Sequence, residues 1–404
     1  MINLEVPRKF RGFVNQAHQV AAEMLRPNSR KYDLAEHAYP KELDMLAAMV
    51  DGLSASGAGS GAGATGVRQA EDNGDDGKVR NGSHLSSVLS IMEMCWGDVG
   101  LLLSMPRQGL GNSAIASVAD AEQHKRFDGL WAGMAITEPG TGSDSANIET
   151  TAVRDGDDYV LNGEKIFVTA GDRCDAVVVW ATLDKSLGRE AIKSFVVTKG
   201  TPGMTVERLE HKLGIRASDT ATIRFESCRV PAANLLGSPD IDTGKGFAGV
   251  MQTFDNTRPL VAAMAVGCAR ASLELTRDLL KDAGVEVDYD RPAALQSSAA
   301  ATYLAMEADW EAAYLLTLQA AWMADNGKPN SLEASMAKAK AGRVGNDITL
   351  RCVELAGSVG YSEHELLEKW ARDSKILDIF EGTQQIQQLI VARRILGKSS
   401  AELR

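Results

Sequence analysis

One carboxylate, Glu381, has neighbours and a place in the chain that suit acid–base chemistry. It precedes Gly382 between two stretches of helical apolar spacing within residues 373–397. An acid beside glycine at such a boundary predicts a turn between helices, where both helices hold the carboxylate and leave it free to face a cavity. Taken alone, these residues more often form an ordinary turn with a solvated acid. Chemistry at Glu381 therefore depends on what the rest of the chain places beside it.

Two further segments carry residue types that suit a polar or anionic ligand. Residues 134–144 contain glycines and three hydroxyl side chains after a predicted strand, so that backbone N–H groups can approach an anion or a polar ring closely. Residues 161–171 place Phe167 and Thr169 two positions apart, hence on the same side of a strand. Neither segment is specific by itself, because glycine-rich turns are common.

The elements that must position these residues change from helical to β and back to helical. Apolar residues at helical spacing run through residues 7–53 and 85–127. From 131 to 230, short runs rich in β-branched residues alternate with turns, and Asn162-Gly163 between two such runs predicts a hairpin. The middle of the chain is therefore predicted to be a small antiparallel β domain.

Helical patterning returns after Pro231 and continues to the end of the chain. Helices are predicted to start near Lys245, Leu295, Leu332 and Leu366. One of them carries an aromatic and apolar stripe that predicts core packing rather than a cofactor site: Tyr303, Met306, Trp310, Ala313 and Thr317. The last part therefore resembles a four-helix bundle.

The resulting fold class is mostly α with an inserted β domain. We predict an N-terminal helical domain at 1–130, a middle antiparallel β-barrel at 131–235 and a C-terminal four-helix bundle at 236–404. Residues 54–83 hold eight glycines and only two valines, too little apolar area to offset the entropy of ordering them. They predict a flexible loop, with a disordered insertion favoured over a functional lid.

Composition narrows the classes of function and partner. At 404 residues, with 44% hydrophobic and 24% charged residues, the chain is typical of a globular protein of two or three domains. A net charge of −11 without a basic block argues against nucleic acid as a partner. We expect no membrane span, no secretion signal and a cytoplasmic location. Five scattered cysteines predict buried free thiols, and histidine spacing predicts no metal site.

Four segments together resemble the acyl-CoA dehydrogenase family, which are flavoproteins with a helical, a β and a second helical domain. They are residues 136–144 (ITEPGTGSD), 162–169 (NGEKIFVT), 254–259 (FDNTRP) and 372–387 (RDSKILDIFEGTQQIQ). One segment would be a weak signal, but four in order on the expected elements are highly specific. The resemblance spans nearly the whole chain. It implies FAD as the cofactor, an acyl-CoA thioester as the substrate and electron-transfer flavoprotein as the electron acceptor.

The resemblance also implies which residues contact the flavin and the substrate. Thr137 and Thr169 would hydrogen-bond the isoalloxazine, and Phe167 would pack against it. A hydroxyl near flavin N5 makes physical sense, because hydrogen bonds at N5 tune the electron demand of the ring. The remaining implied contacts are Gly142 and Ser143 at the pyrophosphate and pantetheine arm, Thr383 and Gln385 at the flavin after the turn, and Ser143, Arg258 and Gly382 at the substrate.

Glu381 matches the catalytic base of the family. The family reaction removes an α-proton from an acyl-CoA while a β-hydride passes to the flavin, giving a trans-2-enoyl-CoA. The flavin ribityl hydroxyl and the backbone N–H of the base stabilise the thioester oxygen, and burial against an acyl chain raises the pKa of the carboxylate. Some members place the base at the position of Thr257 instead. Threonine cannot serve there, so Glu381 is the candidate base, with Arg258 as an electrostatic partner.

Two elements of the family pattern are missing. Most members carry an R-x-x-F-G segment that reaches a neighbouring subunit's flavin pyrophosphate, whereas residues 281–290 (KDAGVEVDYD) offer acids there. The family's Q-x-x-G-G-x-G resembles residues 354–360 (ELAGSVG), with Glu354 in place of glutamine and Ser358 in place of glycine. Carboxylates beside a pyrophosphate are repulsive.

Residues that match a subunit's contacts with its own flavin are present in this sequence. Residues that match its contacts with a neighbouring subunit's flavin are absent. The hypothesis is a complex with a paralogous subunit, resembling the α2β2 acyl-CoA dehydrogenases of actinobacteria, some of which act on steroid side chains and others on fatty acyl chains. The alternative is a homotetramer with differently built flavin contacts. A non-catalytic subunit of such a complex, a flavin oxidase and a relative with a nucleic-acid role are further alternatives.

Overall fold

Helices form both ends of the chain and a sheet lies between them, as predicted. The computed structural model describes residues 5–55, 79–107, 110–241, 248–399 and 402, and the side chains of these except for 49–55 and 248–256. Most of the predicted flexible loop, residues 56–78, lies outside the described residues. The first helices are α1 (Arg8–Val20), α2 (Arg26–Leu34), α3 (Glu42–Ala55), α4 (Ser83–Gly97), α5 (Val99–Leu103), α6 (Leu110–Val118) and α7 (Ala121–Arg126), with a π-helical turn at Ala21–Leu25 joining α1 to α2.

A seven-stranded sheet follows these helices. Its hydrogen-bonded order is β1-β4-β2-β3-β7-β6, and β5 also pairs with β4. The predicted β domain is confirmed, with one difference: β1 and β2 each run parallel to β4, so the sheet is mixed, because these strands reach β4 through crossovers instead of hairpins. The strands are β1 (Ala132–Ala135), β2 (Thr151–Asp155), β3 (Asp158–Thr169), β4 (Ala176–Thr182), β5 (Ile192–Thr198), β6 (Met204–Leu209) and β7 (Thr220–Pro231).

The hairpin predicted at Asn162-Gly163 is wrong. Strand β3 runs through both residues, and the turn from β2 lies at Gly156, whose φ is +65°. The Asn162 Oδ1 accepts a hydrogen bond from the Ser227 backbone N–H at 2.7 Å, where the pairing of β3 with β7 shifts register. Gly163 lets β3 pass close to Thr150, because a Cβ at this glycine would meet the Thr150 Oγ1 at 2.4 Å. Contacts with other segments therefore explain why Asn162 and Gly163 occur within a strand, although this dipeptide is typical of a turn.

Long helices complete the chain, and their predicted starts are confirmed to within three residues. The helices are α8 (Ala248–Asp282), α9 (Ser298–Asp325), α10 (Ser331–Tyr361), α11 (Leu367–Leu377) and α12 (Gln384–Leu396). The stripe on α9 lies in the core, as predicted, with Tyr303, Met306, Ala313 and Thr317 all buried. Residues Thr257–Asp282 of α8 are long and apolar enough to cross a membrane, but 78% of their most apolar window is buried inside the protein. Such burial is typical of the core helix of a bundle.

The helices at the two ends of the chain share one hydrophobic core. Ile91 and Met92 of α4 belong to the same buried cluster as Ala262 and Val266 of α8. The sheet has clusters of its own, one of which includes Ile115 of α6. All five cysteines are free and buried, which confirms the prediction of buried thiols. The domain boundaries at residues 130 and 235 stay predictions.

A buried ion network fixes α11, which precedes the Glu381 turn. The Lys369 Nζ lies between Asp98 and Asp373, at 2.6 Å from the Asp98 Oδ2. The Asp373 Oδ1 accepts a hydrogen bond from the Ile215 N–H at 2.5 Å, which joins α11 to the loop between β6 and β7. Arg372 donates to both carboxylate oxygens of Asp33, at 2.9 and 2.6 Å. Arg372 and Asp373 in the segment 372–387 therefore have a structural role.

Candidate active site

Glu381 and Gly382 form the predicted turn between α11 and α12, and both have left-handed backbone conformations. Their φ angles are +56° and +92°. For Glu381 this conformation is strained, since side chains with a Cβ disfavour positive φ. At Gly382 a Cβ would meet the Gln387 Nε2 at 2.4 Å. The turn therefore requires glycine at 382, and the strain at Glu381 must be offset by the contacts around it.

Side chains from the following helix and from α10 hold the backbone of this turn. The Gln387 Nε2 of α12 donates to the carbonyls of Glu381 and Gly382, at 3.0 and 3.2 Å. The Lys338 Nζ of α10 donates to the Gly382 carbonyl at 2.7 Å. Lys338 is fully buried, and burial lowers its pKa to about 8. Sequence analysis assigned neither residue to the site: the Gln387 contact is local to the turn and α12, whereas the Lys338 contact depends on how α10 packs.

The carboxylate of Glu381 meets α8. The Thr257 hydroxyl donates to the Glu381 Oε2 at 2.7 Å, and Thr257 is 1% exposed. Burial raises the pKa of Glu381 above its ordinary value, and the Thr257 hydrogen bond and the charges of Arg258 and Lys338 oppose this shift. The charge of Arg258 acts on Glu381, which is compatible with the predicted electrostatic partnership. Arg258 is 2% exposed and is therefore a buried residue. A carboxylate held in this way can act as a proton acceptor.

The predicted flavin contacts after the turn lie at the start of α12. Thr383 is the N-cap of this helix, and its hydroxyl accepts a hydrogen bond from the Ile386 N–H at 3.4 Å. A capping hydroxyl keeps its own hydrogen to donate to a ligand. The next residue, Gln384, is buried and donates to the Ala339 carbonyl at 3.1 Å, whereas Gln385 is exposed. Exposure at Gln385 is compatible with a ligand contact, which stays a prediction.

On the sheet side, the structure brings Thr137 beside Phe167. The Ile166 N–H donates to the Thr137 carbonyl at 2.9 Å, so the segment after β1 lies against β3. Phe167 is 58% exposed and has φ of +56° in a register shift of β3. The register shift lies between Lys165 and Val168, and Phe167 and Thr169 both lie outside the core, on either side of the buried Val168. This pattern is compatible with the predicted placement of Phe167 and Thr169 on one side of the strand.

A buried ion pair, which sequence reasoning missed, holds this region together. The Lys165 Nζ lies 2.7 Å from the Glu138 Oε1 and donates to the Ile136 carbonyl at 3.1 Å. Glu138 also accepts hydrogen bonds from the backbone N–H groups of Glu149 and Thr150, at 2.6 and 2.9 Å. Burial acts to raise the pKa of Glu138, but Lys165 and these bonds outweigh it and lower the pKa. Glu138 and Lys165 lie in the family segments 136–144 and 162–169, and this was the feature of the sequence that could have identified them.

Gly142 and Ser143 lie on the exposed loop that follows this pair. Their places are open to a ligand, and their contacts with a pyrophosphate or pantetheine arm stay predictions. Phe167 supplies the test of whether a flavin fits. A large aromatic side chain held outward in a strained conformation, beside the partly exposed Thr137, suits a planar ring packed on it.

The structure also brings together a group that histidine spacing did not predict. Glu36, His37 and His211 each place a possible metal ligand atom within 4.8 Å of the others. Burial lowers the pKa of His37 most, the charge of Glu36 opposes this shift, and the positive charges of Lys212 and Arg173 lower the pKa further. No metal role is assigned to this group.

Comparisons with known proteins agree with this geometry. Family models match residues 133–228 (acyl-CoA dehydrogenase, middle domain) and residues 244–396 (acyl-CoA dehydrogenase, C-terminal domain). The mitochondrial short-chain specific acyl-CoA dehydrogenase of Rattus norvegicus is 39% identical over 263 residues, which are 65% of this chain and 62% of that protein. The caffeyl-CoA reductase-Etf complex subunit CarC of Acetobacterium woodii is 34% identical over 324 residues, covering 78% of this chain and 84% of that protein.

A solved structure extends the agreement to the whole fold. Butyryl-CoA dehydrogenase from Megasphaera elsdenii has a TM-score of 0.82 and 29% identity, covering 98% of this chain and 100% of that chain. The predicted order of a helical part, a β part and a helical bundle is thereby confirmed. The sequence matches and the shared fold lead to one assignment: the chain belongs to the acyl-CoA dehydrogenase family.

Proposed function

We propose that this chain is a flavin-dependent dehydrogenase that converts an acyl-CoA thioester to a trans-2-enoyl-CoA, with Glu381 as the base that takes the α-proton. The observation that carries the proposal is the position of this carboxylate. It lies in a strained turn, 2.7 Å from the Thr257 hydroxyl, and burial raises its pKa. A carboxylate with a raised pKa is matched to general-base work near neutral pH. The Glu381 backbone N–H would stabilise the thioester oxygen as charge develops.

The cofactor is FAD, which when bound accepts the β-hydride at N5 of the isoalloxazine. The ring would be held by Thr137, Phe167 and Thr169, of which Phe167 is 58% exposed and available for packing. The partly exposed Thr383 and the exposed Gln385 would add contacts from the start of α12. The exposed loop that follows the Glu138–Lys165 pair would meet the pyrophosphate and the pantetheine arm through Gly142 and Ser143, and Arg258 and Gly382 would complete the substrate contacts.

Electron-transfer flavoprotein is the proposed electron acceptor. The Acetobacterium woodii relative, whose name places it in a complex with Etf, supports this acceptor. Related flavin oxidases pass electrons to oxygen instead. Measuring oxygen consumption and reduction of electron-transfer flavoprotein side by side, with the same acyl-CoA, distinguishes the two.

The proposed assembly is a complex with a paralogous subunit. The segment that should lend a cation to a neighbouring flavin presents Glu286, Asp288 and Asp290, all exposed, and Glu354 on α10 is exposed as well. Carboxylates at these places repel a pyrophosphate, so a partner of different sequence would have to supply the cations. Full FAD occupancy and full activity of the chain purified without a partner would contradict this assembly and support the homotetramer.

The test of the main proposal is anaerobic reduction of bound FAD by acyl-CoA. The wild-type protein is isolated with any co-purifying partner and is screened with acyl-CoAs of different chain length and with steroid CoA thioesters. At least one of these thioesters is expected to bleach the flavin. The variant Glu381→Gln should retain FAD and fold but lose bleaching, because a carboxamide cannot take the α-proton. Retained bleaching in Glu381→Gln would refute the base assignment. No bleaching by any thioester in wild type would support a non-catalytic subunit.

A further inference from the structure

Thr257 occupies the position at which some members of the family carry the base, and it cannot serve as a base itself. In the structure its side chain contacts the carboxylate of Glu381. Thr257 and Glu381 are separated by 124 positions, and the Thr257 Oγ1 lies 2.7 Å from the Glu381 Oε2. Thr257 sits on α8, a core helix that packs against α4, α10 and α11, and it is 1% exposed. A buried hydroxyl on a rigid helix can fix a carboxylate that lies in a turn.

We infer that Thr257 is a positioning residue, whose hydroxyl orients the Glu381 carboxylate and favours its ionised form for proton removal. This inference rests on the proposed function of Glu381 as base. The turn needs such a hold because Glu381 has φ of +56°, and Lys338 and Gln387 fix only carbonyls of the turn. Thr257 instead donates directly to the carboxylate, at 2.7 Å.

The sign of the effect on protonation follows from the donor. A hydroxyl that donates to a carboxylate stabilises the charged form, so it lowers the pKa against the burial that raises it. Among the side chains that the structure describes, the other charged groups that act here are Arg258 on α8 and Lys338 on α10, and Asp378 at the end of α11 acts on Lys338. These groups stay in place when the hydroxyl alone is removed. A change in the titration of Glu381 can then be assigned to Thr257.

The experiment compares Thr257→Val, which keeps the shape of the side chain and removes the hydroxyl, with Thr257→Ser, which keeps the hydroxyl. The rate of FAD reduction by saturating acyl-CoA is followed against pH. In Thr257→Val the acidic limb of this pH profile should move up by about one pH unit. At pH values below the limb the rate should be roughly tenfold lower than that of the wild type, and it should recover at higher pH. Thr257→Ser should follow the wild type. An unmoved limb in Thr257→Val, or an equal loss at every pH in both variants, would overturn the inference.

A second measurement does not depend on turnover. The protonated-carboxyl infrared band that disappears in Glu381→Gln reports the titration of Glu381 directly, with or without substrate turnover. It should shift to higher pH in Thr257→Val and stay in place in Thr257→Ser. If wild-type protein reduces no flavin, the proposed function fails while this titration still decides the role of Thr257. If Thr257→Val does not fold, the pair Thr257→Ser and Thr257→Ala replaces it, and an identical titration in that pair would refute the inference.

Discussion

Lys165 and Glu138 form a fully buried ion pair at 2.7 Å, between the strand that carries Phe167 and the segment that carries Thr137. The pair joins the segments on the sheet side of the site, because Lys165 also donates to the Ile136 carbonyl and Glu138 accepts hydrogen bonds from two backbone N–H groups. Buried charges are tolerated only when each is paired and hydrogen-bonded. The sheet side of the proposed flavin site thus depends on two residues that would not touch the reacting atoms.

Removing one partner of this pair should destabilise the protein strongly. Lys165→Met leaves the Glu138 carboxylate buried without its cation, which should lower the free energy of unfolding by about 3–5 kcal/mol. Urea unfolding measures it. The matched control is Asp309→Asn, which breaks a Lys340–Asp309 pair of similar length, 2.6 Å, but with the Asp309 side chain 57% exposed. That change should be about 0–1 kcal/mol, and equal losses in both variants would contradict the role of burial.

Glycine at 382 should be required for activity as well as for stability. Gly382→Ala places a Cβ at φ of +92° and 2.4 Å from the Gln387 Nε2, so the free energy of unfolding should fall by about 1–3 kcal/mol. The shift of the turn should also lower the rate of FAD reduction by about 100-fold. Gly12→Ala is the control, because Gly12 is an exposed residue of α1 whose Cβ would meet nothing within 4 Å. It should stabilise by about 0.5–1 kcal/mol, and a similar gain in Gly382→Ala would disprove the strain.

Glu381→Gln should be more stable than the wild type at neutral pH, although the proposed function predicts that the variant is inactive. Burial raises the pKa of Glu381 in the folded protein, so the folded state binds this proton more tightly than the unfolded state does. The wild type therefore loses stability as pH rises from the ordinary pKa of glutamate to the raised value. The difference between the variant and the wild type should grow with pH across that window in urea unfolding. A difference that does not change with pH would contradict the raised pKa.

Lys338 should produce a basic limb in the pH profile of FAD reduction. Its Nζ holds the Gly382 carbonyl at 2.7 Å, and burial lowers its pKa to about 8. Above this pH the side chain loses its charge, so its hold on the turn and its stabilisation of ionised Glu381 both weaken. Lys338→Arg, which stays protonated, should remove the limb, and Lys338→Met should be slower at all pH values by about tenfold. A limb near pH 8 that persists in Lys338→Met would assign it to another group.

The limb must also be separated from loss of structure at high pH. A lysine with a lowered pKa binds its proton less tightly in the folded state, so this group alone makes the wild type more stable as pH rises from about 8 toward the ordinary value of lysine. Unfolding at the same pH values, measured on wild type and Lys338→Met, provides the control. A fall in stability that parallels the fall in rate would mean that the limb reports unfolding.

Several features of this protein follow from the order of its residues alone. Helical spacing located the long helices, and β-branched runs located strands β3, β4, β5 and β7, because both patterns depend on neighbours a few positions away. The turn at Glu381-Gly382 was predicted in the same way. The four family segments named the proposed base and flavin contacts. They did so without showing which of their residues support the fold.

The tertiary structure decided the contacts between distant residues. Thr257 meets Glu381 across 124 positions, and Lys338 reaches the turn across 44, because α8 and α10 pack beside it. Asn162-Gly163 has the composition of a hairpin, yet its partners Ser227 and Thr150 keep it within a strand. Spacing along a chain records which face of an element is apolar, whereas the approach of two side chains also depends on how whole elements pack. For that reason the sequence alone identified the candidate base, and only the fold showed what holds it.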